Sequence, residues 1–164
     1  MRMSGGVEWA MHCCVVLSAA EAPVSGSRLA ELHEVSPSYL AKHLQALSRA
    51  GIIRSTQGQT GGYVLTRGAA EITVLEVVQA IDGEEPAFRC TNLRRRGPLA
   101  VPEELCVRPC GIHQAMMDAE AAWRAALASV TLADIATGID TDYGMPVMPL
   151  VADWLRAPNG EDRR

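Results

Sequence analysis

At 164 residues, the chain has room for one domain, or for one domain with an appendage. Its hydrophobic fraction of 48% and charged fraction of 21% are typical of a globular protein in water, and the absence of a long apolar run excludes a membrane span. We therefore expect a cytoplasmic protein. The formal net charge is −4, yet residues 1–70 carry six Lys and Arg against four acidic residues, which suits a small DNA-binding surface.

The first 50 residues predict three helices. Apolar residues at helical spacing predict a helix over Val7–Ala20, and a shorter one over Arg28–His33 with Ser27 as its N-cap. The strongest helix start is Ser36-Pro37, because a hydroxyl cap is followed by proline at the first helical position. This third helix extends to about Ala50.

A β-hairpin is predicted next, because two β-rich runs, Ile52–Thr56 and Tyr63–Thr66, flank a glycine-rich segment. A helix capped by Thr73 follows over Val74–Ile81. Helices followed by a hairpin in this order are typical of a winged helix-turn-helix, and the simpler alternative is a small helical domain with an incidental hairpin. We predict a mainly α fold with a small β-hairpin wing, the winged helix-turn-helix domain occupying residues 1–82.

The second half of the chain is organised differently. Residues 83–110 form a long polar loop, and a loop of this length is usually functional or disordered. A long helix then runs to about Val130, and its apolar residues form one face that can pack against another helix. Thr131 caps a short helix after it. We predict a dimerisation helix within residues 111–136 and an irregular tail over residues 137–164.

In a helix-turn-helix, the second helix enters the major groove with its N-terminal residues nearest the bases. The candidate base- or phosphate-contacting residues there are Ser36, Ser38, Tyr39, Lys42 and His43. The candidates on the wing are Arg54, Gln57, Gly58, Gln59 and Thr60. For Lys42 and the wing, an ordinary solvated surface is the alternative interpretation. The run Arg94–Arg96 is interpreted as a solvated part of the loop, with DNA contact as its alternative.

The chain contains five cysteines, and an odd number favours metal or redox chemistry over a disulfide framework. Cys90, Cys106 and Cys110 lie in the long loop, and thiolates in such a group suit zinc or an iron–sulfur cluster. The adjacent Cys13 and Cys14 are interpreted as buried packing residues.

Glu8 and His12 are spaced i, i+4 on the first helix, which places a carboxylate and an imidazole on one face. By themselves they are compatible with a surface pair or with two ligands. The chain has no HExxH, GxSxG or phosphate-loop motif, so a hydrolase is disfavoured and we expect no enzyme.

Several segments resemble the Rrf2 family of transcriptional regulators in order and spacing. They are VSPSYLAK at 35–42, LSRAGIIRS at 47–55, GQTGGYVL at 58–65, ITVLEVVQAIDG at 72–83 and TLADI at 131–135. The resemblance covers about residues 1–136. It implies a homodimer with winged-helix heads that binds two-fold symmetric, double-stranded operator DNA. It also implies a cluster held by a three-cysteine loop.

By this resemblance, Cys90 and Cys110 correspond to the first and third cysteines of the family, and Cys106 stands for the second although the intervals are 16 and 4 residues. Glu8 corresponds to an acidic ligand from the partner subunit, and His113 to a histidine ligand of some members. The pattern is most similar to RsrR-type redox sensors, whose [2Fe–2S] cluster has Cys, His and Glu ligands.

The resulting hypothesis is one [2Fe–2S] cluster per subunit, placed at the subunit boundary. Cys110 with Cys90 or Cys106 comes from one chain, and Glu8 and His12 come from the other. Trp9, next to Glu8, is expected to repack when the redox state changes and so to switch operator binding. The alternative is a cluster-free winged-helix regulator that senses thiol oxidation or a small ligand.

Overall fold

The computed structural model describes residues 3–58 and 61–157 and is mainly helical, with one two-stranded antiparallel hairpin. The helices are α1 (Gly5–Ser18), α2 (Gly26–Leu32), α3 (Pro37–Arg49), α4 (Val74–Asp82), α5 (Gly111–Ala128), α6 (Leu132–Tyr143) and α7 (Val147–Arg156). The strands are β1 (Ile53–Thr56) and β2 (Gly62–Leu65), and single 3-10 turns occur at Ala69–Glu71, Leu93–Arg95 and Glu103–Leu105. None of the helices in these ranges is long and apolar enough to cross a membrane.

The elements α1–α4 with the hairpin, residues 5–82, form the winged helix-turn-helix and are called the head below. Ser36 caps α3 by accepting a hydrogen bond from the amide of Tyr39, and Thr73 caps α4 in a reciprocal box with Glu76, as predicted. The cap of α2 differs from the prediction. Ser25 accepts from the amide of Arg28, so α2 begins at Gly26 and Ser27 lies inside its first turn.

The hairpin is tied to the chain that precedes α2. Ile53 pairs with Leu65 at its base, and Tyr63 exchanges two backbone hydrogen bonds, of 3.0 and 2.8 Å, with Val24. This approach requires a glycine at position 62, since a Cβ there would lie 2.5 Å from the Val24 carbonyl carbon. The hairpin is therefore held on both edges of β2, by β1 on one side and by the segment before α2 on the other.

The core of the head is aliphatic and includes both thiols of α1, and Leu132 at the start of α6 completes it. The fully buried side chains are Leu29, Leu40, Leu44, Leu47, Ile52, Ile53, Ile72, Val77, Leu132, Cys13 and Cys14. Burial raises the pKa of Cys13 to about 12 and also raises that of Cys14. The prediction that this pair packs the interior is confirmed.

The C-terminal tail is helical where it was predicted to be irregular. Helix α6 continues through Gly138 and ends at Gly144, and α7 begins directly after Pro146. Prolines suit the first turn of a helix because the amides they lack have no partner there. Apolar side chains of both helices, Ile135, Ile139, Met148, Val151 and Leu155, pack against the core of the head.

Arg28 of α2 fastens α7 to the head. Its guanidinium lies 3.5 Å from the centroid of the Trp154 ring, and Nη2 donates to the carbonyl oxygens of Trp154 and Ala157 at 2.7 and 3.3 Å. Arg28 is only 7% exposed, and its buried charge is satisfied by the end of the tail helix together with the Glu31 carboxylate, which accepts from Nη1 at 2.9 Å.

Candidate nucleic-acid interface and metal ligands

The N-terminal half of α3 presents a polar face to solvent. Ser36, Ser38, Tyr39 and Lys42 are all exposed, and the Nζ of Lys42 lies 4.5 Å from the centroid of the Tyr39 ring. Hydroxyls and one ammonium on an exposed helix face can donate to phosphates and base edges. These four residues therefore occupy a position suited to reading DNA.

His43 departs from the predicted surface position. It is 7% exposed and its ring packs under Tyr39, with a centroid distance of 5.3 Å. The ring lies where a side chain at Gly6 would be, because a Cβ there would meet its Cε1 at 2.5 Å. Burial, followed by the charge of Lys42, lowers the pKa of His43. This imidazole packs α3 on α1 rather than facing a groove.

The wing carries exposed polar groups next to α3. Arg54 on β1 is exposed, as are Gln57 and Gly58 at the tip, where Gly58 has a φ of +112°. That backbone angle favours glycine and lets the main chain approach a ligand closely. The predicted contacts Gln59 and Thr60 lie outside the described residues.

A line of rings connects the exposed face of α1 with α3. The His12 ring lies 5.4 Å from that of His33, the Trp9 ring lies 6.2 Å from His33 and 6.1 Å from Tyr39, all in edge-to-face geometry. Burial, followed by the charge of His12, lowers the pKa of His33, and its Nε2 is buried without a hydrogen-bond partner among the described residues.

His33 was missed by the sequence reasoning, which treated it as the end of a short helix. Its place beside Trp9 follows from how α2 packs on α3 and α3 on α1, and no spacing rule along the chain reveals that contact.

Glu8 and His12 are both exposed, one turn apart on α1. They line one side of an open groove of about 460 Å³ whose remaining wall is mostly apolar. The other lining residues are Met3, Ser4, Gly5, Val7, Met11, Val74, Val78 and Leu127.

Residues 83–110, called the cysteine loop below, have no buried residue. Two polar clamps attach its beginning to α5: the amide of Ala87 donates to Glu120 at 3.0 Å, and Arg124 donates to the carbonyl of Glu84 at 2.9 Å. Cys90, Cys106 and Cys110 are half-buried free thiols.

The start of α5 lowers the pKa of the Cys110 thiol. Cys110 precedes the first residue of α5, and the backbone amides of His113 and Ile112, together with the charge of Arg94, hold this pKa below the ordinary value. The thiol of Cys106 instead approaches the Val101 carbonyl at 3.9 Å, and the Cys90 sulfur accepts from the Asn92 amide at 3.4 Å.

The predicted ligands fall into two groups within one chain. Glu8 and His12 share a face of α1, whereas the three cysteines belong to the cysteine loop. Within residues 3–58 and 61–157, no three His, Cys, Asp or Glu side chains lie close enough to hold a metal ion. A single subunit therefore does not assemble the predicted ligand set.

Comparison with known sequences gives relatives along most of the chain. YffB of Lactococcus lactis, an HTH-type transcriptional regulator by description, is 30% identical over 94% of this chain and 97% of its own. YwgB of Bacillus subtilis is 34% identical over 57% of this chain and 61% of its own, and IscR of Photorhabdus laumondii is 38% identical over 46% of each. This chain thus spans less than two thirds of the length of some relatives.

Comparison with solved structures gives the same fold. CymR, the global cysteine regulator of B. subtilis, superposes with a TM-score of 0.65 at 22% identity, covering 84% of this chain and 97% of CymR. IscR of T. potens superposes with a TM-score of 0.65 at 21% identity, covering 87% and 90%.

The relatives are transcriptional regulators rather than enzymes. Residues 3–138 match the Rrf2 family, described as iron-dependent transcriptional regulators. With the winged head and the family match in agreement, the chain belongs to the Rrf2 family of DNA-binding transcriptional regulators.

Proposed function

We propose that this regulator is a homodimer whose binding to operator DNA is switched by a [2Fe–2S] cluster at each subunit boundary. Cys110, with Cys90 or Cys106, binds from one chain, and Glu8 and His12 bind from the other. The observation that carries the proposal is the line of rings from His12 through His33 and Trp9 to Tyr39, because it joins a ligand-bearing face to the DNA-reading helix.

The dimer is supported by surface that one chain leaves uncovered. Helix α5 has no buried residue, and its apolar side chains Ile112, Met116 and Met117 are 72%, 43% and 49% exposed. An apolar helix face of this kind is stabilised by packing against another helix. We assign residues 111–136 to dimerisation, residues 83–110 to ligand binding and residues 1–82 to DNA binding.

The side chains present suit an iron–sulfur cluster shared between subunits. Free, half-buried thiols, one of them with a lowered pKa, are suitable ligands for an iron–sulfur cluster, and imidazole and carboxylate complete a mixed set. Because one chain keeps Glu8 and His12 apart from its cysteines, a second chain has to supply one of the two groups.

When bound, a [2Fe–2S] cluster supplies one-electron redox chemistry. His12 transmits the accompanying change through its contact with His33, and the Trp9 indole repacks between His33 and Tyr39. Since Tyr39 stands on the exposed face of α3, a new Trp9 position tilts or shifts the reading helix.

In a homodimer, two α3 helices are related by a two-fold axis. The expected operator is therefore double-stranded and two-fold symmetric, with half-sites about one helical turn apart, or about 34 Å. Small changes in the tilt of each head alter this spacing, so specific binding is sensitive to the switch.

The subunit arrangement is tested with a mixed dimer of two defective chains. One chain carries Glu8→Ala and His12→Ala, and the other carries Cys110→Ser; each has its own affinity tag, and the mixed dimer is isolated anaerobically. If ligands cross the boundary, one of the two sites is complete, and iron and sulfide reach about half the wild-type content.

The two homodimers of these variants are the controls, and both are expected to lack the cluster's visible absorption. A mixed dimer as colourless as its parents would overturn ligation across the boundary. An unchanged spectrum in Glu8→Ala or His12→Ala alone would remove that residue from the ligand set.

A second candidate function is a cluster-free regulator that senses thiol oxidation. The half-buried thiolate environment of Cys110 favours it, and one structural relative, CymR, is a cysteine regulator. Wild-type protein isolated without oxygen distinguishes the two, since stoichiometric iron and sulfide support the cluster and their absence supports the thiol sensor.

A further inference from the structure

Arg94 ties the two arms of the cysteine loop together. It lies in the 3-10 turn Leu93–Arg95, and its Nη2 donates to the carbonyl oxygens of Cys106 and Arg108, at 3.1 and 2.7 Å. Its own carbonyl accepts from the amide of Val101 at 2.9 Å. One residue thus holds the segment leading to Cys110 by three hydrogen bonds, in a loop that has no buried residue.

The guanidinium, bonded to the carbonyl two residues before Cys110, has a further donor that is not used. Its Nε is buried without a hydrogen-bond partner among the described residues. A buried donor without a partner costs free energy, so such a group in a native protein calls for an explanation. A bound anionic group beside Cys110 would give this donor a function.

The next residue in the chain, also an arginine, lies at the surface instead. Arg95 pairs with Glu103 at 2.6 Å across the surface, and its side chain is 41% exposed. The interpretation of the whole run Arg94–Arg96 as solvated therefore does not hold for Arg94, whose polar groups are directed into the cysteine loop.

We propose that Arg94 is a positioning residue that shapes the segment Cys106–Cys110 and places a fixed positive charge beside the bound cluster, raising its reduction potential. This inference rests on the proposed function, because it assigns a residue that regulates the same site. With two thiolates and one carboxylate as ligands, the site is anionic and gains one more negative charge on reduction. A nearby cation stabilises the reduced form more than the oxidised form.

Two variants of Arg94 separate the shaping of the segment Cys106–Cys110 from the effect of the positive charge. Arg94→Lys keeps the charge, but an ammonium on a flexible stem does not reproduce the planar guanidinium that bonds both carbonyls. Arg94→Gln keeps one donor and removes the charge. Arg95→Gln removes a charge at the adjacent position and is the matched control.

The experiment measures two quantities in full-length protein. The midpoint potential of the cluster is followed by its visible absorption during anaerobic titration with dithionite. The hydrogen exchange of the Val101 and Cys106 amides, which donate to the Arg94 and Glu103 carbonyls, is measured in metal-free protein. For Arg94→Gln, we expect the ratio of reduced to oxidised protein at a fixed potential to fall tenfold or more, which corresponds to about 59 mV for one electron.

For Arg94→Lys, we expect a potential close to that of the wild type together with at least tenfold faster exchange of the Val101 and Cys106 amides. Arg95→Gln should leave both quantities unchanged. Equal potentials in wild type and Arg94→Gln would overturn the charge role, and unchanged exchange in both Arg94 variants would overturn the positioning role. Wild-type protein that never contains iron and sulfide would instead contradict the proposed function, while the exchange measurement would still decide whether Arg94 shapes the loop.

Discussion

The head and the cysteine loop of this chain are held together by different forces. The head buries Leu, Ile and Val side chains from every one of its helices. The cysteine loop buries none and depends on a few hydrogen bonds that Arg94 and Arg124 donate and Glu120 accepts. Burial of apolar surface stabilises a fold without a partner, while exposed polar contacts contribute little. We therefore expect the head, together with the α6 and α7 side chains packed on it, to keep its conformation, and the cysteine loop to be the region that responds to what it binds.

The largest expected loss of stability comes from a substitution in the core of the head. Leu40→Ala removes a fully buried side chain of α3 and should lower the free energy of unfolding by about 2–5 kcal/mol, measured by urea denaturation of metal-free protein. Leu99→Ala in the cysteine loop is the control, because Leu99 is 92% exposed and its loss should change stability by less than about 0.5 kcal/mol. Similar losses for both variants would contradict the comparison.

Substitutions at two adjacent glycines of α1 test how closely α1 packs against α3. Gly6→Ala places a Cβ 2.5 Å from the His43 ring, so we expect a net loss of about 1–2 kcal/mol even though alanine favours the helix. Gly5→Ala meets no atom within 4 Å and should be neutral or stabilising by less than about 1 kcal/mol. A lower melting temperature for Gly6→Ala, with an unchanged or higher one for Gly5→Ala, would support the close contact of α1 with α3. An equal change in both variants would refute it.

The tail helix α7 should contribute less to the free energy of unfolding than the apolar core does. Trp154→Ala removes the ring that stacks on Arg28 and is expected to cost about 1–2 kcal/mol. Tyr143→Ala, at a side chain 73% exposed, is the control and should be neutral. If Trp154→Ala is as stable as the control, α7 does not brace the head.

The smallest effect concerns pH. Burial of Glu76 alone would raise its pKa, but hydrogen bonds from Thr73 and Arg67 and the charge of Arg67 hold the pKa below the ordinary value of 4.5. The carboxylate thus stabilises the fold above the unfolded pKa, and this contribution is lost as the pH falls from about 5 through the lowered pKa. Glu76 is partly exposed, so the loss is below about 1 kcal/mol. Glu76→Gln should show a shallower decrease in stability between about pH 5 and pH 3; an identical slope would remove Glu76 as a cause.

The parts of the molecule predicted from sequence are those set by local chemistry. Ser36-Pro37, the Thr73 cap and Gly51 mark helix ends wherever they occur, so the helix-turn-helix and the hairpin were predicted within about two residues. The tail was predicted to be irregular because it contains Gly144, Pro146 and Pro149, but Pro146 and Pro149 lie at the start of α7, and proline suits a first turn.

The rest of the candidate site depends on contacts between distant segments. His43 was predicted on the surface, and the missing side chain of Gly6 lets it pack inward. His33 joins Trp9 only because α2 packs on α3 and α3 packs on α1, and Arg94 reaches carbonyls 12 and 14 residues away. Charge runs and spacings do not reveal these positions, because they arise only after the chain has folded.

The measurement that tests the central claim most directly is operator affinity under anaerobic conditions, with the same protein preparation in its oxidised and its dithionite-reduced state. We expect the two dissociation constants to differ at least tenfold, and Trp9→Ala, which interrupts the line of rings, to bring them within about twofold of each other. Equal affinities of the wild type in both states, with iron and sulfide present, would contradict the redox switch.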